Sequence, residues 1–394
     1  MNHALQGGRK ASLFLPPLRA AALTCCITII LAASQAWGAV PMSGFNPALL
    51  VGHKDGAFLE ASAFAADTVL PVMSIIDDNW NGRFTPKEHN LADLYWYAGS
   101  GVVARNWRVA AFNRGELFVD SNRDSIEFIY SVKKKLDLTK GRRYQADIRM
   151  RGWTASGVEV SRGASLDAVL PGLSAGLTLR VMMPHYLQYG SMSGAVTATG
   201  SKSYDYDLYL DYAYGHNILY RVEDETLGSG YGYSADLGAS YRRGGWHAEL
   251  LVRDLAGALM WDSVPYTKAY AVNPTSTTAP NGYQDFTPSI SGYEGKKSLR
   301  QTIPVKTDLS LGYDYGSLSA GGTCIFVQGR PRTWLSADYR FGTVADLSLA
   351  YNIDYAAFSL AVASHGFKVG ATLSDPNPRD ARALGAELSY LYSW

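Results

Sequence analysis

Cysteine is nearly absent from this chain. The 394 residues hold three cysteines, Cys25, Cys26 and Cys324. The first two fall in a segment that we expect to be removed on export, so the mature protein would keep only Cys324. A single thiol excludes an intramolecular disulfide. We therefore expect Cys324 to be an ordinary strand residue rather than a nucleophile.

Long apolar runs are scarce as well. An uncharged apolar run covers residues 20–33, which is shorter than the roughly 20 residues that a spanning helix needs. It follows a basic start and precedes Ala36-Trp37-Gly38, where small residues stand at the positions that a signal peptidase reads. The pattern predicts a secretory signal peptide, residues 1–38, cleaved near Gly38, rather than a retained anchor. No later window has the length of a transmembrane helix.

Charge is sparse and balanced. Charged residues make up 18% of the chain and the formal net charge is +1, so nothing favours nucleic acid as a partner. The histidines lack the spacing of a metal site, and no phosphate-binding glycine loop of recognised spacing is present. His247 and Glu249 share one face of a predicted strand, but no nucleophile near them in sequence completes a catalytic set. We expect no catalytic residues, no metal and no cofactor, and a protein that is not an enzyme.

Alternation of apolar and polar residues is the dominant pattern that the chain does contain. Successive side chains on a strand point to opposite faces, so an alternating segment has one apolar and one polar face. Many segments of about 10 residues show it, which is the length of a tilted spanning strand. The 26 Tyr, 9 Trp and 39 Gly suit interfacial aromatic girdles and tight turns. In the last segment, the apolar face consists of Leu384, Ala386, Leu388, Tyr390, Tyr392 and Trp394.

These patterns predict an all-β fold. We expect a transmembrane antiparallel up-and-down β-barrel of about 14–16 strands that occupies residues 57–394. A soluble β-sandwich also alternates, but its core could not hold the charges that recur on the polar faces. A barrel with an apolar outside and a wet inside accommodates both faces.

Connection lengths divide the predicted strands into two ends. Tight connections such as 105–106 and 139–143 fall at one end and long ones at the other, as expected for short periplasmic turns and long external loops. The longest is the predicted external loop 255–306. Residues 185–203 break the rule, and they either hide two short strands or fold into the lumen. Residues 39–56 precede the barrel as a periplasmic or lumenal segment.

Four short motifs resemble a known group of barrels. The chain has an early Asn-Pro-Ala, then a strand with Asp-Leu-Gly, then a strand ending in Asp-Leu. This order resembles the FadL superfamily of outer-membrane barrels, including its TraF-like and PorV-like relatives. The resemblance implies a barrel of about 14 strands with an N-terminal segment inside the lumen, and for FadL proper it implies diffusion of hydrophobic molecules. The motifs are Phe45-Asn46-Pro47-Ala48, Asp236-Leu237-Gly238, Arg253-Asp254-Leu255 and Thr302-Ile303-Pro304.

The polar faces of the predicted strands place charges of both signs in one lumen. These charges would either pair across neighbouring strands and fill the interior, or form a charge ladder that selects solutes. One of them, Glu127, depends on a strand predicted at 126–137. The predicted lumen-lining residues are Glu127, Asp147, Arg149, Arg151, Asp205, Asp207, Asp236, Arg242, Glu249, Arg253, Asp308, Asp338, Arg340, Asp346 and Glu387.

The leading functional hypothesis is an outer-membrane channel or transporter for the passive uptake of small molecules, hydrophobic ones among them. The alternative is a structural, assembly-associated or secretion-associated barrel that docks partner proteins. We expect the cell outer membrane as the location, with the lipid bilayer and lipopolysaccharide as surroundings. The C-terminal strand, which ends in Trp394, is predicted to be recognised by the outer-membrane assembly machinery. The sequence does not specify the solute.

Overall fold

The structure is a computed structural model that describes residues 44–217, 227–273, 275–278, 284–287 and 290–394. The predicted signal peptide lies outside the described residues. None of the helices within these ranges has the length and apolarity that a membrane-crossing helix needs.

Antiparallel strands make up most of the described chain. A short helix, Val72–Ile76, and a longer one, Arg123–Lys133, lie in two of the connections. The strands are β1 Gly56–Asp67, β2 His89–Ala104, β3 Trp107–Asn122, β4 Arg143–Ser165, β5 Leu173–Ala198, β6 Tyr204–Tyr214, β7 Gly230–Arg243, β8 Trp246–Val272, β9 Thr275–Thr278, β10 Gln284–Thr287, β11 Ile290–Thr302, β12 Lys306–Tyr315, β13 Leu318–Val327, β14 Arg330–Phe341, β15 Ala345–Asn352, β16 Ala357–Ser364, β17 Phe367–Leu373 and β18 Ala383–Ser393.

Fourteen of these strands close into a barrel. Strands β1 to β5 pair in order, β5 pairs with β7, β7 with β8, β8 with β12, and β12 to β18 pair in order. The last strand pairs with the first, with Gly56 opposite Ser393 and Ala66 opposite Ala383. The predicted fold class, an antiparallel transmembrane barrel, is confirmed.

The two faces of the wall differ as a membrane barrel requires. On β17, Phe367 and Val369 are exposed on the outside while Lys368 and Thr372 are buried on the inside. Other strands repeat this inverted pattern, with exposed aliphatic residues and buried charges. Lipid surrounds the outer face of such a barrel, so apolar side chains belong there and polar ones face the lumen.

Tight turns gather at one end of the barrel, which we call the tight-turn end. The connections 105–106, 244–245, 316–317 and 365–366 lie there, and short turns mark the periplasmic end in barrels of this class. The prediction that 139–143 belongs to this set is wrong. Residues 123–142 connect β3 to β4 at the opposite end, and they include the helix Arg123–Lys133.

Three long strands continue past the closed wall and form a projecting sheet. The far parts of β4, β5 and β8 carry β6 between β5 and β8, and β11 on the other side of β8. The predicted loop 255–306 is therefore wrong, because 255–272 belongs to β8 and 290–302 is β11. Residues 185–203 neither hide two strands nor fold into the lumen, since β5 runs straight through to Ala198.

The predicted strand at 126–137 is also wrong, because these residues lie in the helix Arg123–Lys133, the rim helix. Its first turn is capped by Asn122, whose Oδ1 accepts a hydrogen bond from the Ser125 backbone nitrogen at 2.9 Å. Ile126 and Ile129 pack near buried Trp80 in the connection between β1 and β2. Helical spacing of these apolar residues and a capping Asn therefore outweigh the alternation that suggested a strand.

Candidate functional site in the barrel lumen

Residues 44–51, the N-terminal plug, lie inside the barrel. They contain the 3-10 turn Pro47–Leu50, and the Ala48 backbone nitrogen donates to Asn46 Oδ1 at 3.1 Å, which caps this turn. Asn46 is 2% exposed, and Ala48 and Leu50 are fully buried. The sequence predicts a periplasmic or lumenal segment at 39–56, and residues 44–51 of it are lumenal.

Polar contacts hold the plug against the wall. Asn46 Nδ2 donates to the backbone oxygen of Ala239 at 3.2 Å and lies 3.5 Å from Glu249 Oε2. The backbone nitrogen of Gly44 donates to Asp308 Oδ2 at 3.3 Å. The plug is thus attached to β7, β8 and β12 by hydrogen bonds, which can be exchanged for water.

Three glycines form the surface on which the plug rests, and we call them the glycine pocket. They are Gly163 on β4, Gly176 on β5 and Gly238 on β7. A Cβ atom at Gly163 would lie 2.8 Å from the Pro47 oxygen, one at Gly176 would lie 2.3 Å from the Pro47 carbonyl carbon, and one at Gly238 would lie 2.0 Å from Asn46 Oδ1. Glycine is needed because the plug approaches the wall this closely, with its backbone at Gly163 and Gly176 and with the Asn46 side chain at Gly238. Two of the motifs, Asn-Pro-Ala and Asp-Leu-Gly, therefore contact each other.

Beyond the plug, buried ion pairs form a charged belt across several strands. Arg108 on β3 bonds both Glu60 on β1 and Glu159 on β4. Arg180 Nε donates to Glu159 Oε2 at 2.7 Å, and Arg180 Nη1 lies 2.6 Å from Asp236 Oδ2. Carboxylates and guanidinium groups at this depth are tolerated because each is paired.

The belt continues through a cluster that joins β3, β8 and β12. Lys306 Nζ lies 2.7 Å from Glu116 Oε1 and 2.9 Å from Asp254 Oδ2. Arg114 donates to both oxygens of Asp254, at 2.9 and 2.8 Å. The side chains of Lys306, Glu116 and Asp254 are at most 1% exposed. Two carboxylates and two cations thus balance one another in the interior.

A break in the regular β8 strand explains the Arg-Asp-Leu motif. On a regular strand, neighbouring residues face opposite sides. Here Asp254 has φ +58° and the β7–β8 register shifts nearby, so Arg253 and Asp254 are both buried. Arg253 pairs with Asp308 at 2.8 Å, and the Asp254 backbone nitrogen donates to Asp236 Oδ1 at 2.9 Å. This irregularity adds a second charge to the lumen.

Contacts between distant strands narrow the lumen. Arg332 Nη1 on β14 lies 2.7 Å from Asp93 Oδ2 on β2, although these strands are far apart around the barrel. Phe64 on β1 and Trp334 on β14 meet with ring centroids 6.3 Å apart. The interior is thus packed between opposing walls at this level.

An apolar lining lies farther from the tight-turn end. Strands β4, β5 and β8 each carry one charged belt residue, and each also carries a large apolar residue farther from the tight-turn end. The charged residues are Glu159, Arg180 and Arg253, and the apolar ones are Trp153, Leu187 and Trp261. All three are at most 2% exposed. They belong to one buried cluster with Phe112, Ala155, Met182, Ala213, Leu259, Val264 and Ile303.

Most predicted lumen residues fall into two groups. In the closed barrel, Asp236, Arg253 and Asp308 belong to the charged belt. The closed barrel also holds the other predicted residues of this first group. Glu249 lies beside the plug, 3.5 Å from Arg242, and Glu387 lies 2.8 Å from Lys368. Arg340 lies 3.6 Å from Asp346, and Asp338 is on the same strand as Arg340. On the inner-facing side of the projecting sheet are Asp147, Arg149, Arg151, Asp205 and Asp207.

Glu127 does not line the lumen, and its prediction is wrong. It lies on the rim helix, where it pairs with Arg123 at 2.7 Å and also bonds Arg142. Partial burial would raise the pKa of Glu127, but the hydrogen bonds from Arg123 and Arg142 outweigh this and lower the pKa below its ordinary value.

Several belt residues were missed from the sequence. Alternation on β3 was visible, because Arg108, Arg114 and Glu116 occupy positions of one parity. Glu159 lies in a stretch that was assigned to a connection, and Lys306 lies at the end of the predicted loop. In the described part of the chain, no group of three or more His, Cys, Asp or Glu residues could hold a metal ion.

Comparison with known proteins gives a family and a set of similar folds. The sequence model of a protein family described as "Family of unknown function (DUF5723)" matches residues 89–371. The chain belongs to this family. No curated protein matches it in sequence.

Solved structures similar to this DUF5723 member include a toluene transporter and a hydrocarbon channel. The Pseudomonas putida toluene transporter TodX is 10% identical, with 89% of this chain and 92% of that chain covered and a TM-score of 0.47. The CymD monoaromatic hydrocarbon channel is 11% identical, with 93% and 95% covered and a TM-score of 0.32. At such scores, the likeness leaves the function to be argued from the chain's own geometry.

Two features that the resemblance to the FadL superfamily implied are present in the structure. Fourteen strands close the wall, and the N-terminal segment lies in the lumen. The plug precedes the DUF5723 match, which begins at residue 89. All three glycines of its pocket lie within the match: Gly163, Gly176 and Gly238 of the Asp-Leu-Gly motif.

Proposed function

We propose that this outer-membrane barrel is a gated channel for small molecules, closed in the described state by its N-terminal plug. The observation that supports the proposal most directly is the fit between plug and glycine pocket. Three strands lack side chains where the plug passes. A barrel that only needed a filled lumen could use ordinary side chains there.

The lining of the lumen supports small, partly apolar molecules as the solutes. The cluster around Trp153, Leu187 and Trp261 packs aromatic and aliphatic side chains together on the far side of the charged belt. A solute that passes this level would have to part these apolar side chains. Apolar side chains with few polar groups are typical of sites for apolar ligands. Passive diffusion requires no catalytic step, so no residue is assigned one.

A matched pair of glycine substitutions tests the gate. Gly238→Ala places a methyl group 2.0 Å from Asn46 Oδ1, whereas Gly322→Ala on the outer face of β13 meets nothing nearer than 3.4 Å. We expect Gly238→Ala to displace the plug and raise single-channel conductance in planar bilayers, and Gly322→Ala to behave as the natural protein does. Equal conductance in all three proteins would contradict the gate.

Solute class is tested separately with the same variants in lipid vesicles. We expect a small apolar dye to enter vesicles with an outer leaflet of lipopolysaccharide, which slows its direct entry, faster when they contain Gly238→Ala than when they contain Gly322→Ala. Entry of sugars but not of the dye would keep the channel and reject the apolar solute class.

A scaffold that docks partner proteins is the second candidate. The observation that favours it is the contact between distant strands, above all Asp93 with Arg332 and Asp120 with Arg330 at 2.9 Å. Such cross-lumen pairs would have to part before a solute could pass. A barrel that stays impermeable in Gly238→Ala and copurifies with a stable partner would favour the scaffold.

The proposal also includes the surroundings of the barrel. Lipid and lipopolysaccharide would contact the apolar outer face, and the assembly machinery would recognise β18 before it closes on β1. Trp394 follows β18, is 68% exposed, and its backbone nitrogen donates to the Asp55 oxygen at 3.3 Å. Assembly of a Trp394→Ala variant in cells, measured by heat-modifiable gel mobility, tests this part. Assembly that is unchanged would reject it.

A further inference from the structure

The projecting sheet has two flanking strands, and the chain treats their outer edges differently. One flank is the far part of β4 and the other is β11. A free strand edge presents unpaired backbone N–H and C=O groups, so proteins usually cover it or use it for binding.

The edge of β4 is covered by the chain itself. Beyond the point where β4 stops pairing with β3, residues around the start of the rim helix form hydrogen bonds with the backbone of β4 instead. The backbone nitrogen of Gln145 donates to Asp124 Oδ2 at 3.0 Å, and that of Asp147 donates to Ser125 Oγ at 2.9 Å. Asn122 Nδ2 donates to the Gln145 oxygen at 2.8 Å.

The outer edge of β11 has no such cover within the described ranges. Strand β11 is 13 residues long and pairs with β8 from Ile290 opposite Ala271 to Thr302 opposite Ala258. In the sheet order of the described strands it stands at the end. Ten of its 13 residues are exposed. It is longer than the five or six residues of an average strand, so it offers a long template.

Charge indicates which partner this edge suits. Strand β11 carries Lys296, Lys297 and Arg300 against the single acid Glu294. Lys296 and Arg300 are exposed, while Lys297 is engaged within the sheet, 4.5 Å from the Tyr266 ring. A second copy pairing antiparallel around Lys296 would bring Lys296 opposite the same lysine of the other copy, which is destabilising. An acidic strand would instead place carboxylates against Lys296 and Arg300.

We propose that the outer edge of β11 binds an extended, acidic peptide segment of a partner protein by strand addition. Backbone hydrogen bonds supply the pairing, and Lys296 and Arg300 select for acidic side chains. The predicted orientation places this edge on the outside of the cell. The proposal does not depend on solute passage through the barrel.

A synthetic peptide of alternating Glu and Val residues, labelled with fluorescein, serves as the probe for the full-length protein in lipid nanodiscs. We expect it to bind in fluorescence anisotropy and to slow amide hydrogen exchange within residues 290–302. A peptide of alternating Lys and Val, and an acidic peptide interrupted by Pro, should bind at least about tenfold more weakly.

Two double variants with the same charge change distinguish binding at the β11 edge from non-specific attraction of the acidic peptide to a basic protein surface. Lys296→Glu with Arg300→Glu should weaken binding of the acidic peptide about tenfold or more. Lys135→Glu with Lys140→Glu, exposed in the connection after the rim helix, should leave it within about twofold. The proposal is overturned if the acidic peptide fails to bind, if exchange slows elsewhere but not in 290–302, or if both double variants weaken binding equally.

Discussion

The closed barrel and the projecting sheet share one alternation but place their charges in opposite surroundings. In the closed barrel, the side chains of Lys306 and Glu116 lie 2.7 Å apart and are 1% and 0% exposed. On the projecting sheet, Lys268 and Asp211 lie 3.2 Å apart and are 36% and 32% exposed. Alternation therefore gives the direction of a side chain, whereas closure of the wall decides how strongly its charge interacts.

This difference indicates where the stability of the protein is concentrated. Breaking a buried ion pair leaves a charge without water or partner, while an exposed pair exchanges its contact for hydration at little cost. The closed barrel should thus be sensitive to single substitutions in the charged belt. The projecting sheet should tolerate charge changes, which is consistent with a surface used for contacts.

The largest effect is expected for Lys306→Ala. It would leave Glu116 and Asp254 sharing the single guanidinium of Arg114, and the free energy of unfolding should fall by about 3–5 kcal/mol. Urea unfolding in lipid vesicles, followed by tryptophan fluorescence, measures it. Lys268→Ala on the projecting sheet is the matched control and should unfold at the same urea concentration as the natural protein. Equal losses in both variants would remove the distinction between the two regions.

The next effect separates the two faces of one strand. Trp334 is 1% exposed and packs between opposing walls, whereas its neighbour Leu335 points outward and is 54% exposed. Trp334→Ala should lower the free energy of unfolding by about 3 kcal/mol, because it opens a cavity in the packed lumen. Leu335→Ala should cost much less, since lipid fills the space. A larger loss for Leu335→Ala in the same unfolding assay would contradict the assignment of the faces.

A smaller effect is expected for Asn46→Ala in the plug. The change removes the cap of the turn and the hydrogen bond to the Ala239 oxygen, which should destabilise plug docking by about 1 kcal/mol. Amide hydrogen exchange of residues 48–51 should speed up about fivefold, while exchange in β17 stays unchanged. Faster exchange in both segments would mean that the barrel, rather than the plug, had been destabilised.

The sequence predicts the strands well where lipid surrounds them. Strands expected at 307–316 and 383–393 are observed at Lys306–Tyr315 and Ala383–Ser393. In this part of the wall each outward position faces hydrocarbon and each inward position faces polar groups, so the alternation is strict. Both halves of the plug contact were visible as motifs, Asn-Pro-Ala and Asp-Leu-Gly, but only the folded chain shows that they meet.

The errors concentrate outside the closed wall. Strand β8 continues past Leu255 with Pro265 buried within it, and a proline in such a run suggests a loop rather than a strand. The projecting sheet has no lipid on one face and polar lumen on the other, so it lacks the strict alternation that identifies spanning strands. The Asp254 bulge was missed for a related reason: two consecutive inward residues break strict alternation.

The smallest effect concerns pH at the rim. The folded pKa of Glu127 is lowered by Arg123 and Arg142, so its pairing stabilises the rim helix above the ordinary pKa of the carboxyl group. This stabilisation is lost as the pH falls through the lowered folded value. Amide exchange of residues 126–133, corrected for intrinsic rates, should therefore speed up between about pH 5 and pH 3, while exchange in β3 does not. In the Glu127→Gln variant, residues 126–133 should exchange fast at both pH values. If the variant keeps the pH dependence, another group is responsible for it.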